Sequence, residues 1–156
     1  MSTQESTAQR EEFLTFRLGQ EEYAIDILQV REIRAHEPVT RIADAADFVM
    51  GIINLRGAIV PILDLRMKFR LPCRNDASTV VIILSIDERL TGVVVDAVSD
   101  VVSLMPEQVR PAPSLAGSID STFIRGIAPV DGRMLIVADI ASLLASPGLE
   151  PEALAA

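Results

Sequence analysis

Two segments of this chain are copies of one another. Residues 51–65 (GIINLRGAIVPILDL) and 126–140 (GIAPVDGRMLIVADI) align without a gap, and each opens on Gly-Ile. Each has a second glycine (Gly57, Gly132) and closes on an aspartate followed by an aliphatic residue (Asp64-Leu65, Asp139-Ile140). Apolar residues match at Ile59/Met134, Val60/Leu135 and Ile62/Val137. Upstream of each copy the same order of elements recurs: a strand, a hairpin turn, and a second strand ending in aspartate, Ala24-Ile25-Asp26 in one half and Val94-Val95-Asp96 in the other. A period of about 70 residues is a duplication of one supersecondary unit, not the short period of a solenoid. A fold available to one half must therefore suit the other.

The unit reads as β-structure. Its apolar runs are short, rich in Val and Ile, and bounded by Gly, Pro, Asn or Asp. Phe13–Leu18 and Glu22–Ile27 flank Gly19-Gln20; Val80–Ile86 and Thr91–Ala97 flank Asp87-Glu88-Arg89; Asp131-Gly132 separates Ile127–Val130 from Met134–Val137. Each is a predicted hairpin. Five-stranded closed sheets suit such halves, because closure removes exposed strand edges. Helices are few: 64–69 and 139–144 each start on an aspartate able to cap free N–H groups, with Pro72 and Pro147 as stops. Pro61, inside an apolar strand, is expected at an edge or a barrel corner. Residues 106–122 read as an irregular connector.

Composition narrows the function. No apolar run approaches the roughly 18 residues of a membrane helix, and the polar start from Met1 to Glu12 is unlike a secretory leader. A soluble, cytoplasmic protein without direct membrane insertion is expected. One cysteine, Cys73, gives neither an internal disulfide nor a cysteine-cluster metal site. A net charge of −8, with no Trp and one Tyr, is the opposite of a nucleic-acid footprint. No metal, cofactor or nucleic acid is expected.

The residues also offer little for catalysis. His36 is the only histidine and has no partner visible in the sequence, whereas general-base work needs a positioned one. Asp26, Asp64, Asp96 and Asp139 could be imagined as an acid/base set. Their recurrence at equivalent places in both halves fits caps and turns of the shared unit better. A hydrolase built on Asp96 or Asp139 is thus a minor alternative, and so is a binder of proline-rich peptides, whose grooves are lined with aromatic residues where this chain is only 4% aromatic. Two positions are less easily absorbed by the fold. In Val30-Arg31-Glu32-Ile33, strand alternation puts the acid on the same face as Val30. In Asn54-Leu55-Arg56-Gly57, an arginine occupies the turn where the second copy has Asp131. Arg56 is either a solvated hairpin tip or folds back on a carboxylate such as Glu32 to shape a partner surface.

Over about 12–146 the chain resembles the CheW family of chemotaxis coupling proteins. The matching stretches are Phe13–Gly19, Glu22–Ile27, Val30–Ile33, the long run Gly51–Arg66, Gly92–Val98, Ile124–Ile127 and Met134–Ile140. The resemblance implies a mostly β fold of two SH3-like five-stranded barrels, in agreement with the duplication, with a few short helices. The implied organisation is a disordered tail over 1–11, two intertwined barrel subdomains roughly over 12–70 and 78–138, a C-terminal helix over 139–146, and a flexible tail over 147–156. It implies no catalysis. The partners would be the cytoplasmic tip of chemoreceptors and the regulatory domain of the histidine kinase CheA. Carried over by position, the receptor side would use Val30, Glu32, Gly51, Asn54, Arg56 and Gly57, with Glu32 and Arg56 paired, and the kinase side Arg110 and Leu115. The alternatives are a scaffold of this type in a non-flagellar chemosensory pathway, or a coupling domain from a longer receiver or kinase chain, against which the length is expected to count.

Overall fold

The short apolar runs form ten strands among the residues that a computed structural model of the chain describes, namely 10–36, 39–41, 49–68, 71–72, 75–111 and 123–144. In chain order they are β1 (Glu11–Leu18), β2 (Glu21–Asp26), β3 (Val30–Ala35), β4 (Val49–Leu55), β5 (Ala58–Asp64), β6 (Val80–Ile86), β7 (Arg89–Val95), β8 (Ala97–Leu104), β9 (Ile124–Val130) and β10 (Arg133–Ala138). Helices α1 (Leu65–Lys68) and α2 (Ile140–Leu144) follow β5 and β10. Asp64 Oδ1 accepts the Arg66 amide at 2.9 Å and Asp139 Oδ1 the Ser142 amide at 3.2 Å, so both aspartates cap as their recurrence implied.

Three hairpins turn on residue pairs with positive φ: Arg56-Gly57, Asp87-Glu88 and Asp131-Gly132. Such two-residue turns match the twist of the strands they join. The β6–β7 turn is tighter than its sequence implied, so β7 starts at Arg89 and not at Thr91.

The strands assemble into two five-stranded sheets, ordered β8-β1-β2-β10-β9 and β3-β6-β7-β5-β4. Under the repeat, β1 and β2 correspond to β6 and β7, and β8, β9 and β10 to β3, β4 and β5; the two orders are then the same. Each sheet nevertheless takes strands from both halves of the chain. The seams are parallel pairs, Ile136 beside Tyr23 in one sheet and Leu63 beside Val93 in the other. The segments 12–70 and 78–138 are therefore units of sequence repetition, while each spatial unit is completed by its neighbour's strands.

Closure of each sheet repeats as well. Past β3, Thr40 exchanges two backbone hydrogen bonds with Ile52 on the far edge strand, at 2.9 and 2.8 Å; past β8, Arg110 does the same with Ile127, at 2.9 and 2.8 Å. The crossing backbone comes so close that a Cβ on Gly51 would stand 2.2 Å from the Thr40 carbonyl oxygen, and one on Gly126 2.4 Å from that of Arg110. Glycine opens both copies of the repeat because the seam leaves no room for a side chain.

The core has three parts. Phe13, Ala24, Leu104, Ala128, Leu135 and Val137 fill the first sheet, and Leu55, Val60, Ile62, Val81, Ile83 and Val94 the second. Between the sheets lie Leu14, Phe16, Leu18, Tyr23, Ile25, Ile82, Leu84, Val93, Val95 and Ile136, with Leu65 and Ile140 from the helices. Central strands thus bury both faces, which is why Val80–Leu84 and Val93–Val95 are unbroken apolar runs. Each large side chain fully buried here contributes about 1.5–3 kcal/mol. Of the two places expected for Pro61, an edge strand is ruled out, since β5 is internal. The proline is accommodated because pairing with β7 begins only at Ile62.

Candidate partner-binding surface

The second sheet presents its seam through a strained turn. Asn54 Oδ1 accepts the Gly57 amide at 2.9 Å and fixes the turn's shape, and Gly57 (φ 92°) has open space where a Cβ would be. Arg56 holds φ at 50°, a left-handed conformation that favours Gly, Asn or Asp. Its counterpart Asp131, at φ 48°, suits the position better. A costly residue kept at a strained position points to a role for its side chain.

That side chain crosses the seam. Arg56 Nη2 donates to Glu32 Oε2 at 2.5 Å, joining the β4–β5 turn to the edge strand β3, and Arg34 Nη1 approaches Glu32 Oε1 at 3.3 Å. Of the two readings open in the sequence, folding back on Glu32 is the one observed. Arg56 remains 69% exposed while Glu32 is held closer to the body at 26%. The Arg56 guanidinium, seconded by Arg34, keeps the Glu32 carboxyl below the usual carboxylate range. The result is a largely exposed planar cation with one nitrogen turned toward Glu32.

The other predicted positions divide by role. Val30, half-buried, pairs with Leu84 and packs against the inter-sheet core, leaving Arg31 and Ile33 on the outer face of β3. Gly51 is buried beneath the Thr40 backbone and forms part of the seam, not of an open surface. Arg110 is exposed and spends its backbone groups on the first sheet's closure. Leu115 lies outside the described residues.

Arg110 also borders a groove of about 670 Å³, lined with Pro111, Ile127, Pro129, Met134 and Ile136 together with Glu21, Glu22 and Arg133. Met134 is 60% exposed, and its repeat partner Ile59 is 69% exposed, so both barrels carry an apolar residue on the outside of the same strand.

Two polar clusters were not read from the sequence. In the first sheet, Arg133 binds Glu22 through both carboxylate oxygens, Nε to Oε1 at 3.0 Å, and Asp100 Oδ1 at 3.0 Å; Asp100 also accepts from the buried Thr15 hydroxyl at 2.6 Å. Arg133 keeps Glu22 and Asp100 below the usual carboxylate range, and the two acids raise the guanidinium in turn. In the second cluster Arg66 is 1% exposed. It is gripped by Asp64 (Nε–Oδ1 3.0 Å, Nη2–Oδ2 2.9 Å), Asp96 Oδ1 (3.2 Å) and Asn75 Oδ1 (2.8 Å). Asp96 is the one aspartate of the repeated four that does not cap its own turn, since its Oδ2 accepts the distant Gly19 amide at 2.8 Å. A signal was available: the repeat counterpart of Arg66 is Ala141, so the arginine is not needed to build the unit.

Comparison with known proteins identifies this architecture. The family model of the CheW-like domain matches residues 12–148. The chain belongs to the CheW family. It is 53% identical to the chemotaxis protein CheW of Klebsiella aerogenes over 137 residues, covering 87% of this chain and 82% of that one. It is 29% identical to CheW of Bacillus subtilis, covering 86% of each. The crystal structure of the scaffolding protein TtCheW from Thermoanaerobacter tengcongensis superposes with a TM-score of 0.81 at 33% identity, covering 91% of this chain and 92% of that one. The two-barrel fold expected from the resemblance is thus the fold of a CheW scaffold, and the chain is a chemotaxis adaptor of this family.

Proposed function

We propose that this chain is a cytoplasmic, non-catalytic coupler that binds the tip of chemoreceptors through the Glu32–Arg56 seam and the regulatory domain of the kinase CheA through the region of Arg110. The observation that carries the reading is Arg56, strained at its turn and oriented by Glu32, because an oriented guanidinium on a partly apolar surface is common at the centre of interfaces. The acids also argue for a structural role, since Glu22, Asp100 and Glu32 are held ionised by arginines, which makes them poor proton donors or acceptors near neutral pH. Among the described residues no helix is long and apolar enough to cross a membrane.

A coupler of this kind works by effective concentration. Binding the receptor with one surface turns kinase binding at the other into an event within one assembly, so two modest contacts yield a stable complex. A micromolar contact is worth about 8 kcal/mol. The receptor's signalling state can bias the kinase only by as much as the coupler's affinities differ between states.

The test is co-sedimentation with receptor-containing membranes and purified CheA, following kinase autophosphorylation in the pellet. Activation that needs the wild-type chain and fails with Arg56→Ala supports the reading; a folded wild-type chain that sediments with neither partner overturns it.

A further inference from the structure

The repeat supplies an internal control for the Arg66 cluster. At the crossing from β7 to β8, Asp96 is bound on one oxygen by Arg66, from the second sheet's helix α1, and on the other by the amide of Gly19, in the first sheet's β1–β2 turn. The equivalent crossing, from β2 to β3, has the same strands and the same aspartate, Asp26, whose Oδ1 instead accepts the nearby Leu28 amide at 2.9 Å. There the arginine's place is taken by Ala141, and Asp139 is left to cap its own helix. One crossing is therefore built without a charge relay, and the fold does not require one at the other.

The two sheets already share a large apolar core. Apolar burial is non-directional and tolerates sliding of one packed face over another. A chain of hydrogen bonds does not, because each bond is directional: Arg66 grips Asp64 with two nitrogens inside the second sheet and holds Asp96 by one bond of 3.2 Å, and Asp96 passes that hold to the Gly19 amide of the first sheet at 2.8 Å. We propose that the Asp64–Arg66–Asp96–Gly19 relay locks the angle between the two sheets. Resting on the function proposed above, it thereby holds the Arg56 seam of one sheet and the Arg110 groove of the other in the orientation that joint binding of both partners needs. Arg66 and Asp96 act as positioning residues and touch neither partner.

The experiment compares the wild type with Asp96→Asn, which leaves Arg66 its Asp64 partner, and with the double variant Asp64→Leu/Arg66→Met, which removes the buried pair and leaves Asp96 without its arginine. Residual dipolar couplings are measured for amides of both sheets, and binding is measured for CheA alone, for receptor alone, and for the two together. In the wild type one alignment tensor should fit both sheets. In each variant the sheets should need two, with each single-partner affinity changed less than about twofold and joint assembly weakened about tenfold, an ordinary size for coupling between sites. A single tensor in both variants would overturn the lock. Two tensors with joint assembly undiminished would overturn its positioning role. Should the wild type bind neither partner, it is the coupling function that fails, and the tensors still decide the lock.

Discussion

Gly51 lies directly beneath Thr40, so close that the carbonyl oxygen would be 2.2 Å from any Cβ at that position. The obstacle is backbone, held by two hydrogen bonds to Ile52, and cannot swing aside. Gly51→Ala should therefore destabilise the protein by about 3 kcal/mol, the upper range for overpacking, as read from the midpoint of urea unfolding. Gly126→Ala should do the same through Arg110. A partner-binding defect in Gly51 variants is then expected to follow loss of fold, and equal binding by the fraction that remains folded would show it.

Arg56→Ala should behave in the opposite manner. The side chain is exposed and alanine keeps the same positive φ at no added strain, so the unfolding midpoint should change little, while receptor-dependent kinase activation is lost. Arg56→Gly, which relieves the positive φ, should raise the midpoint and lose activation equally. A midpoint that drops with either variant would mean that the ion pair matters more to the seam than its exposure implies.

Arg66→Met alone leaves Asp64 buried beside an apolar neighbour. Removing one member of a buried pair costs about 3–5 kcal/mol, whereas replacing both by apolar residues is close to neutral. The single variant should unfold at markedly lower urea than the double variant Asp64→Leu/Arg66→Met. Equal midpoints would indicate that solvent reaches Asp64 once the arginine is gone.

Acid should weaken the first sheet. Glu22 and Asp100 have lowered values in the folded chain because Arg133 binds their ionised forms. On acidification the unfolded chain takes up protons first, so stability is full above the ordinary carboxylate range and declines as the pH falls through and below it. Arg133→Met should move both carboxyl titrations upward by NMR and flatten this part of the pH profile. Unmoved titrations would place the cause elsewhere.

Much of the fold was legible in the sequence because duplication printed it twice. Gly51 with Gly126 and Asp64 with Asp139 recur at the same places in both halves, and the hairpin at Asp131-Gly132 follows from turn chemistry alone, while the turn at Asp87-Glu88 was read one residue too long. What was not legible is what the halves do to each other. The parallel seams β2–β10 and β5–β7 join residues far apart in sequence, and nothing in a strand's composition names its partner. The internal position of Pro61 depends on such a seam. The same holds at the site: Glu32 and Arg56 could be singled out as oddities of their own elements, whereas the role of Asp96 depends on Gly19, in the other sheet. Asymmetry between the copies, Arg66 against Ala141, was the readable trace of it.

The exchange of strands has a consequence for how the chain can be divided. A cut in the connection between Lys68 and Val80 would yield one fragment with β1–β5 and another with β6–β10, and neither would hold a complete sheet. Each would expose the edges that the other covers. The fragments should recover native structure only when mixed, at a rate set by their concentration. In that sense the molecule has the form of a swapped dimer made covalent, two copies of one unit folded as a single body.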